Sequence, residues 1–283
     1  MVDNLKKIVE KSQKNQSSSE QEERLNKFLA RAGVASRRAA EVFIAEQRVS
    51  VNGVTATTPG TKIFPQKDVV KLDGKIIRTE KQHITAALYK PAGVVSTTTD
   101  PQGRKTVISL LPHTLRALRL YPVGRLDLDS EGLILLTNDG DLALQLTHPR
   151  YEAEKEYHAL ISPPLSDEAL LTLQNGIFIE GDHPGKTLPA TVKRLRGFKY
   201  IKPDDQHEWI SVAIREGKKR QVRLMVSAAG SDVKKLIRVR IGKLWLETLA
   251  LKPGDVKSLS TNEIALTLIH EDAPPRKEMP KKK

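Results

Sequence analysis

The sequence of 283 residues contains no cysteine, which excludes disulfides, thiolate nucleophiles and cysteine-held zinc together. Its seven histidines are scattered, with no pair at the spacing of His-Glu-x-x-His, so no metal is expected. Neither a Gly-x-x-x-x-Gly-Lys-Ser/Thr loop nor a Gly-x-Gly-x-x-Gly turn occurs, which leaves a nucleotide cofactor without a cradle. No cofactor is expected. Apolar runs stay far below the ~18 residues of a membrane span. The stretch from Met1 to Lys11 lacks the apolar core and small-residue cleavage site of a secretory signal. These absences describe a soluble, cytoplasmic protein.

What the chain has in excess is positive charge, with 47 Lys and Arg against 34 acids and a formal charge of +13. Residues 215–243 hold ten Lys or Arg against two acids, and residues 24–48 hold six against two. A coat kept for solubility would be spread evenly, whereas clustering points to a polyanionic partner, nucleic acid above all. Against this basic background stands the segment Gly124 to Gly140, where Asp127, Asp129 and Glu131 adjoin the apolar run Leu133-Ile134-Leu135-Leu136. A carboxylate beside a core needs a fixed cation or a reaction in which to take part.

Four segments organise the chain. Residues 1–23 are polar and read as a flexible extension, and residues 271–283 as a flexible basic tail. From Arg24, the spacing of Leu25, Phe28, Leu29 and Ala32 predicts a helix that Gly33 ends. Ser36 caps a second helix, with Ala39, Val42 and Phe43 expected inward and Arg37 and Arg38 in its first turn. Arginines there oppose the helix dipole, a cost that makes sense if they face an anion. Val49 and Val51 lead into an Asn52-Gly53 hairpin, and Val69 to Leu72 into an Asp73-Gly74 turn. A linker is expected near residues 79–83. Beyond it, Leu133–Leu136, 155–161 and 209–214 read as strands and Gln221–Ala229 as a helix. This mixture predicts an α+β fold with a mainly antiparallel sheet and flanking helices over residues 84–270.

If Leu126 to Asp129 is extended, Asp127 and Asp129 share a face about 6.5–7 Å apart, a spacing that admits a glycosidase. Aromatics at 4% and the basic charge speak against a glycan substrate. The sharper expectation joins one carboxylate to one distant cation. Arg223, one position from the apolar face of its helix, is placed to reach inward, with Arg220 pointing outward toward phosphate. Alternation in Lys155 to Ile161 puts Tyr157 with Ala159 and Ile161, offering a ring on which a base can stack for about 1–3 kcal/mol. In Ile237-Arg238-Val239-Arg240-Ile241 alternation buries three aliphatics and presents two arginines as an RNA track, or as a charged protected edge.

Residues 24–53, from Arg24-Leu25-Asn26-Lys27-Phe28-Leu29-Ala30-Arg31 through Ser36-Arg37-Arg38 to Val49-Ser50-Val51-Asn52-Gly53, resemble the S4 RNA-binding domain. Lys90-Pro91-x-Gly93, Gly124-Arg125-Leu126-Asp127 with Ser130-Glu131-Gly132-Leu133, Lys155-x-Tyr157, and Glu216 to Arg223 follow in the order and spacing of ribosomal pseudouridine synthases of the RsuA/RluB group. The resemblance covers residues 24–260. Arg119 to Gly124 and Thr147 to Tyr151 look closer to the large-subunit rRNA branch. It implies a small S4-like domain of two helices and a hairpin at 24–83, followed by a catalytic domain at 84–270.

The resemblance further implies that Asp127 is the catalytic aspartate, Tyr157 the aromatic against the target base and Arg223 the cation paired with the aspartate. RNA contacts are expected from Arg31, Arg37, Arg38, Lys90, Arg125, Lys218, Lys219, Arg220, Arg238 and Arg240. Leu224 departs from the many relatives that carry a second basic residue there, which weakens one RNA contact and not the catalytic pair. The partner implied is ribosomal RNA or a ribosomal precursor particle, the oligomeric state a monomer. The rival from another class is a non-catalytic RNA-binding or ribosome-assembly factor, which would not require Asp127, Tyr157 and Arg223 together.

Overall fold

The computed structural model describes residues 22–79, 83–195 and 206–269. They fall into two compact units, one built mainly from residues up to Ile84 and the other from most of the remainder. The expected N-terminal extension up to residue 21, residues 80–82 of the expected linker, and the expected basic tail lie outside the described residues.

In the first unit, helix α1 (Leu25–Arg31) buries Leu25, Phe28 and Leu29 on one face, and Gly33 follows its cap at φ 70°. Helix α2 (Arg37–Ala45) starts where expected, with Ser36 Oγ accepting from the Ala39 amide at 3.1 Å. Its buried stripe is Ala40 and Ile44, not the expected Ala39 and Val42, and Val42 is 52% exposed. The reason is phase: Val42 sits two residues, about 200°, round the helix from both Ala40 and Ile44. A four-stranded sheet runs in the order 54–55, 49–51, 70–72, 75–76. Both expected hairpins form through left-handed pairs, Asn52 and Gly53 at φ 51° and 85°, Asp73 and Gly74 at 49° and 76°.

The second unit is built on a nine-stranded sheet. Its main strands are β1 (Thr85–Lys90), β2 (Glu131–Thr137), β3 (Lys155–Ser162), β4 (Thr191–Arg194), β5 (Glu208–Ile214), β6 (Asp232–Ile241) and β7 (Val256–Ser258). They lie in the order β4-β5-β3-β6-β2-β1-β7. β3 pairs antiparallel with both β5 and β6, and β6 pairs parallel with β2. The sheet is thus mostly antiparallel, with the parallel step placed where the Asp127 segment enters.

Alternation along β3 sorts the core. Ala159 and Ile161 join Val212, Ile214 and Leu236 beneath helix α3 (Gln221–Ala228), whose Val222, Met225 and Val226 are buried there. Leu160 packs on the other side with Trp209 and Ile237. Leu133 and Leu135 anchor a second cluster with Leu142, Leu146 and Ile241. Among the described residues no helix is long and apolar enough to cross a membrane.

Candidate active site

Asp127 does not lie on a strand. Residues 127–130 form a turn in which the Ser130 amide donates to the Asp127 carbonyl at 3.1 Å. Asp127 and Asp129 therefore do not alternate as neighbours on one strand face. The turn is tied at its carbonyls and at both of its ends. Ser96 Oγ donates to the Leu126 carbonyl at 2.8 Å and accepts from the Leu126 amide at 3.1 Å. The Gly93 amide donates to the Leu128 carbonyl at 2.8 Å. Lys90 Nζ donates to the Ser130 carbonyl at 2.7 Å, to Pro91 at 3.0 Å and to Leu128 at 3.4 Å.

Lys90 is thus fully buried and holds the turn from behind, which corrects its expected role as an RNA contact. Burial, the leading cause, pulls its pKa down to about 8, against the opposing pull of Asp129, Glu131 and Asp127.

The helix that carries the cations is set by Gln221. Its side chain accepts from the Lys218 amide at 3.0 Å and donates to Glu216 at 2.6 Å, while Glu216 also accepts from the Leu188 amide at 2.8 Å. Arg220 at the helix start is left-handed, φ 55°, a backbone state that costs a non-glycine residue on the order of 1–2 kcal/mol. From there its Nη1 lies 3.9 Å from Asp127 Oδ2 and 3.6 Å from Asp129 Oδ1.

Arg223 sits differently from the expectation. Its Nη2 is 3.1 Å from Asp129 Oδ2 and 3.5 Å from the Asp129 carbonyl, and its Nη1 donates to the Val233 carbonyl at 2.9 Å. The arginine expected on Asp127 ties down Asp129 instead, and the arginine expected to point outward is the one nearest Asp127. Burial, the leading cause, lowers the Arg223 pKa, with Asp129 opposing. With Asp129 held by two guanidiniums, a glycosidase pair of free carboxylates has no geometric basis.

Asp127 opens into a cavity of about 500 Å³ that Arg125, Lys155, Tyr157, His183, Arg220 and Arg238 also line, a volume within the ~300–1,000 Å³ of small-ligand sites. Arg125 is exposed at this cavity, and Lys218 and Lys219 line it too, each with a tie of its own. Lys219 Nζ pairs with Asp182 at 2.8 Å, and Lys218 Nζ reaches the Lys186 carbonyl at 3.4 Å. Lys155 and His183 were absent from the expected site; Lys155 could have been found, because it belongs to the Lys155-x-Tyr157 motif. Burial first, and the charge of Arg238 second, bring the Lys155 pKa down to about 8.

The supposed RNA track on β6 is not at the surface. Arg238 and Arg240 are each 3% exposed. Arg240 pairs with Glu154 at 2.6 Å and with Glu156 at 2.8 Å, and its guanidinium lies 5.2 Å from the Trp245 ring centre. Arg238 Nε donates to the Leu133 carbonyl at 2.6 Å. Both expectations of exposed RNA contacts are corrected: buried partners remote in sequence draw these side chains inward. In the first unit, Arg37 and Arg38 are exposed as expected, while Arg31 is paired with Glu23 and lies over the Phe28 ring.

Residues 84–228 match the family model described as RNA pseudouridylate synthase, and residues 23–69 match the S4 domain. The chain is 40% identical over 242 residues to ribosomal large subunit pseudouridine synthase B of Bacillus subtilis, covering 86% of this chain and 94% of that protein. It is 38% identical over 246 residues to the protein of the same name from Pseudomonas aeruginosa, covering 86% of this chain and 61% of that one. A crystal structure of a pseudouridylate synthase matches 87% of this chain and 99% of its own at 29% identity, with a TM-score of 0.60. A half-buried aspartate on a tied turn, a tyrosine in the same cavity and these matches lead to one statement: the chain belongs to the RNA pseudouridylate synthase family and carries an S4 domain ahead of its synthase region.

Proposed function

We propose that this protein isomerises uridine to pseudouridine in large-subunit ribosomal RNA, with Asp127 acting on the ribose. The observation that carries the reading is the placement of Asp127: its turn is fixed by Ser96, Gly93 and Lys90, and its carboxylate opens into a cavity shared with Tyr157.

The target nucleotide must leave its stack, because neither C1′ nor C5 is reachable inside a helix. Asp127 then attacks C1′ or takes the C2′ proton, and in both routes the electron pair of the N1–C1′ bond stays on the uracil. The ring turns against Tyr157, C5 bonds to C1′ as the Asp127 ester breaks or the C2′ proton returns, and the C5 proton leaves while N1 takes one up, so the product is an isomer of the substrate with no redox change.

Arg223 acts as a positioning residue through Asp129 and Val233, and Arg220 supplies the positive charge nearest Asp127. Arg125, Lys218 and Lys219 are suited to phosphates around the flipped nucleotide. Segment 24–83, with exposed Arg37 and Arg38, supplies further RNA affinity, and segment 84–270 the chemistry. The protein acts as a monomer in the cytoplasm and without metal.

The test is tritium release from RNA labelled at uridine C5, since C5 loses its hydrogen only when the base is rejoined there. Release from a large-subunit transcript and not from a small-subunit one supports the proposal. No release from either transcript, nor from ribosomal precursor particles, would return the protein to a non-catalytic RNA-binding role.

A further inference from the structure

The buried Arg238 is a basic group of the cavity that the mechanism above leaves unused. It lines the cavity with Asp127 and Tyr157 and is 3% exposed. Tyr157 on β3 is its direct cross-strand partner on β6, at a register shift in the ladder. Directly opposed residues of an antiparallel pair start their side chains from the same face of the sheet, about 5 Å apart at the Cβ atoms, so Arg238 and Tyr157 enter the cavity from neighbouring positions. Nε is fixed by the Leu133 carbonyl at 2.6 Å, whereas Nη2 is buried with no hydrogen-bond partner among the described residues.

A buried donor on a cation that finds no acceptor in the protein forgoes a charge-assisted hydrogen bond. Arg240, two residues along the same strand, shows the alternative: it is met by Glu154, Glu156 and the Gly242 carbonyl. Lys155 faces the same cavity, and the nearby Arg238 charge disfavours its protonated form. Asp127 and Glu216 also line the cavity, yet neither accepts from Arg238 Nη2, which leaves that donor for an acceptor on the substrate. Phosphates are an unsuitable answer for so buried a group, because exposed Arg125, Lys219 and Arg220 and half-buried Lys218 meet them first. The uracil is suitable. It is neutral in the RNA and becomes an anion, its charge shared by N1, O2 and O4, when the N1–C1′ bond breaks.

We infer that Arg238 is a further catalytic residue, whose Nη2 donates to a carbonyl oxygen of the flipped uracil and stabilises the uracil anion released by cleavage of the glycosidic bond. This rests on the isomerase reading above. The bonds balance as before: N1 keeps the pair from C1′, C5 of the anion bonds to C1′ as Asp127 leaves it or returns the C2′ proton, and loss of the C5 proton is matched by protonation of N1. Arg238 neither gives nor takes a proton; it holds charge that appears only after cleavage.

The experiment is single-turnover loss of the target nucleoside from a large-subunit transcript, read by chromatography of nuclease digests, for wild type, Arg238→Gln and Arg238→Lys. Each is run on RNA containing uridine and on RNA containing 5-fluorouridine, whose ring holds negative charge better and needs less help. RNA affinity and urea unfolding are measured alongside. Removing one preorganised donor to a developing anion costs about 10²–10³-fold in rate. Arg238→Gln is therefore expected to lose that factor on uridine, and less than about tenfold on 5-fluorouridine, with RNA affinity within about threefold of wild type.

Rates within about threefold of wild type on uridine would overturn the inference. So would an equal loss on both substrates, which would assign Arg238 to holding β2 through Leu133. Failure of both variants to fold would likewise overturn it in favour of a scaffold role. An inactive wild type would instead overturn the isomerase reading, so the two failures are told apart.

Discussion

Gly132 is the residue on which the parallel step of the sheet turns, and replacing it with alanine tests how the site is held. It pairs with Arg238 in the parallel ladder at φ 105°. A Cβ built there would lie 2.7 Å from the Arg238 amide nitrogen and 2.9 Å from its carbonyl carbon, with the carbonyl oxygen nearer still. These are backbone atoms that cannot rotate away. Alanine at that φ costs about 1–3 kcal/mol of strain. Separating the strands by roughly 1 Å also weakens adjacent ladder hydrogen bonds at about 1 kcal/mol each.

The sum is about 3–5 kcal/mol, near the upper end for a single substitution. Gly254→Ala is the control, because Gly254 has a similar φ of 97° but nothing within 4 Å of a built Cβ. It should cost the strain alone. Urea unfolding of both variants at one pH isolates the collision, and Gly132→Ala should be the less stable by at least about 2 kcal/mol. Because the Asp127 turn enters β2 through Ser130, a shift of about 1 Å should also slow turnover about 100-fold. Stabilities within about 0.5 kcal/mol of each other would refute the close-approach argument.

Lys90 gives a pH signature of the buried tether. Its folded pKa of about 8 lies below the ordinary 10.5, so between those values the unfolded chain binds more protons and the Lys90 contribution to stability rises with pH. The stability of wild type minus that of Lys90→Met should climb by on the order of 1–3 kcal/mol across this window; a flat difference in pH-resolved urea titrations would be wrong for a buried lysine. Glu154→Gln strips a charge from buried Arg240 and half-buried Arg215, paired to it at 2.6 and 3.1 Å, and should cost about 3 kcal/mol by denaturation. A loss under about 1 kcal/mol would mean that Glu156 suffices. Arg37→Ala with Arg38→Ala should reduce the slope of log affinity against log salt by about 1.5, since each phosphate contact contributes ~0.7–0.9. An unchanged slope in RNA-binding titrations would remove these arginines from the interface.

Elements with local causes were legible in the sequence. Ser36, the Asn52-Gly53 and Asp73-Gly74 pairs and the alternation of Lys155 to Ile161 each impose their structure within a few residues, and each is where it was expected. What escaped was set at long range. Lys90 looks like a surface cation until Ser130, 40 residues away, supplies a carbonyl for it. Arg240 looks like a track residue until Glu154, 86 residues away, receives it.

The exchange of Arg220 and Arg223 has a subtler cause. Helical spacing placed both side chains as if Arg220 were helical, but its left-handed backbone lies outside the 3.6-residue repeat. An extended Leu126 to Asp129 would make Asp127 and Asp129 neighbours on one strand face; the hydrogen bond from Ser130 to Asp127 closes a turn instead. Alternation cannot see such a turn, although Asp129-Ser130 carries turn-forming residue types.

The most direct measurement is tritium release from C5-labelled large-subunit RNA by wild type, Asp127→Asn and Asp129→Asn, with RNA affinity measured for each. Asp127→Asn should release nothing above background while binding RNA within about threefold of wild type. Asp129→Asn, which loosens the ties to Arg223 and Arg220, should retain turnover, reduced about tenfold. Turnover by Asp127→Asn, or loss of its RNA binding together with its turnover, would contradict the claim that this carboxylate performs the chemistry.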